Sequence, residues 1–208
     1  MSEIPEITAI AIPAELKDVT LPTPEEITYW GLRQQRTYWI DFEIDDNYDL
    51  IELAKEIVRL NIEEKDVENP KPITLYIHSY GGDLRQATFF CDLVESSHIP
   101  IITVATGAAM SAGLLIFLSG KRRYAFPHTK LLIHQGSAAF SGSYEEMDAA
   151  QKSYRREINS MKDYILSHTN IYESTYEKHK KGDWYLSGND LVKFGVADKI
   201  ISSFSEIE

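Results

Sequence analysis

The stretch Gly107-Ala108-Ala109-Met110-Ser111-Ala112-Gly113 sits between two apolar runs, IITVAT at 101–106 and LLIFL at 114–118. The first run is short and rich in β-branched residues, which predicts a buried strand; the second, stopped by Ser119-Gly120, predicts a buried helix. A strand that breaks at glycine and resumes as a helix makes a sharp corner. Six of the seven corner residues are Gly, Ala or Ser, so other atoms can approach that backbone closely. On this reading Ala108, Ala109 and Ala112 are small so that a peptide backbone can reach the one hydroxyl, Ser111. At a helix N-terminus that hydroxyl suits an oxygen nucleophile and the anion it generates. Small residues at such a junction also serve plain close packing. Ser111 alone leaves both readings open.

Upstream, ITLYI at 73–77 predicts a short strand running into His78-Ser79-Tyr80-Gly81-Gly82-Asp83, a second glycine corner. The helix that follows, to about residue 97, buries Ala87, Phe90, Cys91 and Val94 on one face, which makes Cys91 a core residue. Strand, glycine corner and helix thus occur twice in succession. Right-handed crossovers wind such units into a layered coil with both corners at one edge. Further upstream lie a strand over 37–44, a turn and N-cap at 45–47, and a helix through 63. Residues 1–35, rich in Glu and Pro, are expected to form an extended arm ordered against a neighbour. A removable pro-segment is the lesser reading, since nothing marks a cleavage point.

Downstream, 123–127 and 131–136 read as strands, with His134 after three apolar residues. Taken alone, a histidine there is more often structural than catalytic. The Gly/Ser-rich segment 137–143 suits close main-chain approach. Ser143 and Glu146 form a capping box for a long polar helix to about 167, with a thin apolar stripe at Met147, Ala150, Tyr154, Ile158, Met161 and Ile165. So thin a stripe predicts a projecting arm packed on a partner. Asp183, beside Trp184 and Tyr185, reads by itself as a cap or a partly buried carboxylate. A last helix starting at 187–190 and a strand at 196–201 complete an α/β pattern.

The totals narrow the function classes. A chain of 208 residues with 43% hydrophobic and 25% charged residues is an ordinary globular domain. Residues 1–70 carry 17 acidic against 6 basic side chains, and the remainder carries 15 of each. The acidity belongs to the N-terminal third, and nucleic-acid binding is not expected, since it needs clustered cations. No apolar run approaches the roughly 20 residues of a membrane span, and the N-terminus lacks the basic start and apolar core of a secretory signal. The single cysteine fits a reducing compartment, with a cytoplasmic location expected. No metal-ligand cluster or phosphate loop stands out, so no cofactor or metal is expected.

A serine becomes a usable nucleophile when a base lies in hydrogen-bond reach and an acid fixes that base's tautomer. Ser111, His134 and Asp183 supply those parts in that chain order. Four blocks then carry a family resemblance over roughly residues 35–202. Tyr76-Ile77-His78-Ser79-Tyr80-Gly81-Gly82 resembles Tyr-Ile-Asn-Ser-Pro-Gly-Gly, and 107–113 resembles Gly-Gln-Ala-Ala-Ser-Met-Gly with the serine in register. Ile133-His134-Gln135 resembles Ile-His-Gln, and Asp183-Trp184-Tyr185-Leu186-Ser187 resembles Asp-Arg-Phe-Leu-Ser. The chain is similar to the ClpP family, the proteolytic subunits of ATP-dependent Clp proteases.

The resemblance implies a crotonase-like superhelix of ββα units over 36–208, with a projecting handle over about 137–168. It implies a Ser111–His134–Asp183 triad, an oxyanion hole from the N–H groups of Gly82 and Ala112, and substrate contacts at Gly81, Gln135, Gly136, Ser137 and Ala138. It also implies polypeptide substrates, heptameric rings that stack as a tetradecamer, and an AAA+ unfoldase partner. The chain departs from the family where Tyr80 and Gly136 replace prolines at the groove lips, and where Lys181-Gly182 stand in place of an Asp-Arg pair linked to ring–ring contact. Thr74 and Ser96 occupy two apolar positions of the family's ATPase-docking groove, and Tyr76 is kept. Two other readings are a crotonase-fold acyl-CoA enzyme, which uses paired N–H donors without a triad, and a non-catalytic ring subunit, which predicts a missing triad member.

Overall fold

The computed structural model describes residues 22–45 and 48–208. Contacts divide the chain into a unit ending at Gln35 and a unit Arg36–Glu208. In the first, α1 (Pro24–Gln34) replaces the extended conformation expected for that part of the arm. The reason is local. Thr23 Oγ1 accepts from the Glu26 amide, the Glu26 carboxylate accepts from the Thr23 amide, and Pro24 opens the first turn with no N–H to satisfy. Residues 1–21 of the arm lie outside the described residues, as do Asp46 and Asn47 of the expected N-cap turn.

The second unit alternates strands and helices. In order these are β1 (Thr37–Ile40), α2 (Tyr48–Glu63), β2 (Ile73–Ser79), α3 (Leu84–Ser96), β3 (Ile101–Met110), α4 (Ala112–Leu118), β4 (Arg122–Ala125) and β5 (Lys130–Ile133). The chain ends through α5 (Tyr144–Ser167), α6 (Glu173–His179), β6 (Trp184–Ser187), α7 (Asn189–Lys193) and β7 (Lys199–Ile200). The strands form one sheet in the order β1-β2-β3-β4-β7, every neighbouring pair parallel. Parallel neighbours require the helical crossovers that the sequence supplies, and strands covered on both faces read as continuous apolar runs. β5 adds parallel to the end of β3, and β6 runs antiparallel to β5.

The central strand does not break at Gly107, as expected from the glycine. β3 runs ten residues in all, through Gly107 to Met110. Its register with β2 slips between Ile77 and Ser79, and Gly107 absorbs the irregularity at φ +73°, where a Cβ would meet the His78 ring nitrogen at 2.8 Å. Ala108 and Ala109 are therefore buried strand residues, paired with Lys130 and Leu131 of β5. Their small size serves sheet packing and not substrate approach. Similarly, β1 stops at Ile40, and Ile44 forms an isolated parallel bridge to Gly82. The segment 137–143 is a loop without a strand of its own.

One core joins α2, α3 and α4 to the sheet. Phe90 and Phe117 are fully buried in it, each contributing about 1.5–3 kcal/mol by burial, and all seven residues of α4 are buried. Tyr76, Ile102, Val104 and Tyr124 of the strands, with Ile201 just past β7, make a smaller second cluster. Cys91 is buried as expected, and burial pushes its thiol up to about 12. Iodoacetamide at pH 8 should therefore leave the native protein unmodified and add once after denaturation; alkylation of the native protein at a rate comparable to free thiol would contradict this burial. Among the described residues, no helix is long and apolar enough to cross a membrane.

Candidate active site

β3 hands over to α4 at Ser111, which takes φ +53° and ψ −122°. Such a conformation in a residue with a Cβ costs on the order of 1–3 kcal/mol and persists only when its surroundings over-determine it. They do here. The Ser111 amide donates to the Leu132 carbonyl at 3.0 Å, its own carbonyl accepts from the Leu114 amide at 3.0 Å, and α4 behind it is wholly buried. The two corners meet at this point. A Cβ on Gly81 would lie 2.7 Å from both the Ser111 Cβ and the Met110 carbonyl oxygen, so only glycine fits beside the serine.

His134 follows β5 directly, and its Nε2 lies 2.8 Å from Ser111 Oγ. β6 pairs antiparallel with β5 through Ile133 opposite Trp184, so one further step sets Asp183 opposite His134. Asp183 Oδ1 stands 3.8 Å from His134 Nδ1, beyond direct hydrogen-bond length, on a side chain 56% exposed. It precedes a strand, so it caps no helix; Tyr185 donates to its other oxygen at 3.4 Å. An acid this open should contribute less than a buried one. Asp183→Asn is expected to lower kcat/KM for peptides by about ten- to a thousandfold, a smaller loss than at Ser111 or His134, measured by steady-state hydrolysis. An unchanged rate would remove Asp183 from the machinery.

Gly82 and Ala112 carry the two main-chain N–H groups that the resemblance implies as donors. Ile44 donates to the Gly81 carbonyl at 2.8 Å and accepts from the Asp83 amide at 2.5 Å. In a parallel bridge of this form the intervening residue, Gly82, turns its own N–H away from the partner strand. Ala112 opens α4, where first-turn amides have no acceptor within the helix. Gly82 and Ala112 line the same cavity as Ser111 and His134, a space of about 610 Å³. Gly81 does not line it. Its carbonyl accepts from Ile44 and its N–H donates to Ser79 Oγ.

Gln135, Gly136, Ser137 and Ala138 do line the cavity. Its opposite wall comes from α5: Ala150, Tyr154, Ile158 and Met161. These are four of the six stripe positions; Met147 does not line the cavity, and Ile165 packs in the core. Arg85, at the start of α3, reaches across to Glu157 of α5 at 2.9 Å. Sequence reasoning missed the α5 residues as cavity wall. The 3.6-residue spacing marked the right positions but says nothing about what they face. Among the described residues, no cluster of three or more His, Cys, Asp or Glu side chains could hold a metal ion.

The family model for Clp protease matches residues 27–204. The chain belongs to the Clp protease family. Curated relatives include the ATP-dependent Clp protease proteolytic subunit of Deinococcus radiodurans, 27% identical over 144 residues, covering 68% of this chain and 71% of that protein. Proteolytic subunit 3 of a Synechococcus strain is 29% identical over 188 residues, covering 86% and 88%. Proteolytic subunit 1 of Protochlamydia amoebophila is 30% identical over 159 residues, covering 74% and 77%. A solved structure of a ClpP1 mutant from Listeria monocytogenes superposes with a TM-score of 0.72 at 24% identity, covering 87% of this chain and 99% of that one. The fold is thus the ClpP type of the crotonase-like class.

Proposed function

We propose that this chain is a serine endopeptidase that cleaves unfolded polypeptides within an oligomeric chamber. The observation that carries the reading is the 2.8 Å contact between Ser111 Oγ and His134 Nε2 at a strained strand–helix corner. In the reaction, Ser111 Oγ attacks the scissile carbonyl carbon while His134 Nε2 takes its proton. The developing oxyanion is received by the N–H groups of Gly82 and Ala112, an effect worth about 2.7–4 kcal/mol per donor. His134 returns the proton to the leaving amine, which departs and leaves an acyl-enzyme on Ser111. Water, deprotonated by the same imidazole, then releases the new carboxylate and restores the serine. Asp183 stabilises the charged form of the imidazole across the 3.8 Å gap. The substrate lies extended against 135–138, its backbone paired with theirs. An acyl-CoA enzyme of this fold needs the paired donors but has no use for the serine–histidine contact, and no triad member is missing.

The assembly we propose is a heptameric ring, stacked in pairs through the handle over 137–168, with residues 1–35 as a separate arm and 36–208 as the protease domain. An AAA+ unfoldase feeds it in the cytoplasm. Apolar surface supports a partnered state. Ile62 is 66% exposed on α2, with Val58 and Phe89 exposed beside it, and Trp39, stacked on Tyr76 at 4.9 Å, is exposed on β1. The departures at Thr74, Ser96, Lys181 and Gly182 predict unfoldase and ring contacts unlike those of the family at large. Native mass spectrometry run with a fluorogenic peptide assay tests the proposal. Multiples of seven of the 23.7 kDa subunit that hydrolyse peptide are expected; a stable monomer would contradict the chamber, and an oligomer without hydrolysis would contradict the peptidase.

A further inference from the structure

The segment after the catalytic base is held from outside its own strand. Tyr154, midway along α5, donates its hydroxyl to the Gln135 carbonyl at 3.0 Å. The next residue, Gly136, takes φ +72°, and a Cβ there would meet the same hydroxyl at 3.0 Å. Proline, with φ fixed near −65°, cannot adopt this backbone, and any side chain would crowd the phenol. Phe140, at the far end of the segment, packs edge-on against the Tyr154 ring with centroids 5.9 Å apart. The phenol is therefore gripped at both ends of residues 135–140. Burial raises its pKa, which keeps it a donor. One turn further along α5, the Arg85–Glu157 pair fixes the helix to the start of α3.

We propose that Tyr154 is a positioning residue for extended substrates: through its bond to the Gln135 carbonyl, and with Gly136 as the residue that makes room for it, it sets the path of 135–138 along the cavity. The inference rests on the peptidase reading. It adds that the substrate-facing segment 135–138 is shaped from the handle helix by a phenol–glycine pair and not by its own backbone restriction. Tyr154 does not touch the reacting atoms. Its effect should fall on ligands that run along the segment and largely spare those that occupy only the nucleophile.

The test compares inactivation by two probes, a small alkyl fluorophosphonate and a tetrapeptidyl phosphonate, on the full chain with its assembly verified by native mass. In Tyr154→Phe the peptidyl probe should slow about three- to tenfold, while the small probe slows less than twofold. Gly136→Ala should show the same split, since its Cβ displaces the phenol and its φ is unfavourable. Equal slowing of both probes in Tyr154→Phe would mean general damage and would overturn the proposal. No slowing of the peptidyl probe in Tyr154→Phe would overturn it too, whatever Gly136→Ala does. If neither probe modifies Ser111 in the wild-type protein, the peptidase reading fails, and the positioning role goes with it.

Discussion

Replacing Ser111 by alanine is expected to lower peptide hydrolysis by at least about 10⁴-fold while leaving the fold in place. The chemical reason is direct: the substitution removes the hydroxyl oxygen that lies 2.8 Å from His134 Nε2. The structural reason for an unchanged fold is equally specific. Ser111 makes no side-chain cap to α4, and its backbone bonds, from its amide to Leu132 and from Leu114 to its carbonyl, survive in alanine. The positive φ is as costly for alanine as for serine, so the melting temperature should move by no more than a few degrees. A Ser111→Ala protein that still cleaves peptides at a tenth of the wild-type rate would place the nucleophile elsewhere.

Gly82→Ala is expected to be the most damaging single-methyl addition in the site. Its Cβ would lie 2.1 Å from the Ile44 carbonyl oxygen and 2.8 Å from the Ile44 carbonyl carbon, atoms of backbone that cannot rotate aside. The φ of +144° adds a conformation that residues with a Cβ avoid. Relief requires moving the 81–83 corner or the 44 segment, and either breaks the bridge that aims the Gly82 N–H. We expect a stability loss of about 2–4 kcal/mol and a fall in kcat/KM of at least about a hundredfold, since the proposed oxyanion donor is displaced. Thermal unfolding and steady-state kinetics read the two parts separately. Wild-type values for both would show that Gly82 is neither closely packed nor a donor.

What the sequence disclosed follows the reach of each physical signal. The apolar runs at 73–77, 101–106 and 114–118 and the glycines after them are local signals, and they located the strands, helices and both corners. The Thr23-Pro24-Glu25-Glu26 start of α1 was equally local, and the Glu/Pro content of the arm obscured it. The continuation of β3 through Gly107 depends on β2 and β5 on its flanks, which no window of the chain contains. Ser111, His134 and Asp183 were legible as a set because their motifs match a family in order and spacing. The 3.8 Å gap at Asp183 was not, because it is set by how β6 pairs with β5. The α5 stripe shows the same limit: period gives the face, and only packing gives what the face meets. Gly136 in a proline position reads from sequence as an altered groove lip; in the structure it is the space that Tyr154 requires.

The central claim is that Ser111 is a nucleophile activated by His134, and one measurement meets it directly. The intact protein is treated with a fluorophosphonate, and the adduct is counted by mass and located by peptide mapping. The account predicts a single adduct on Ser111 that is lost in Ser111→Ala and slowed by at least about a hundredfold in His134→Ala. An adduct on another residue, or equal labelling of Ser111→Ala, would contradict it.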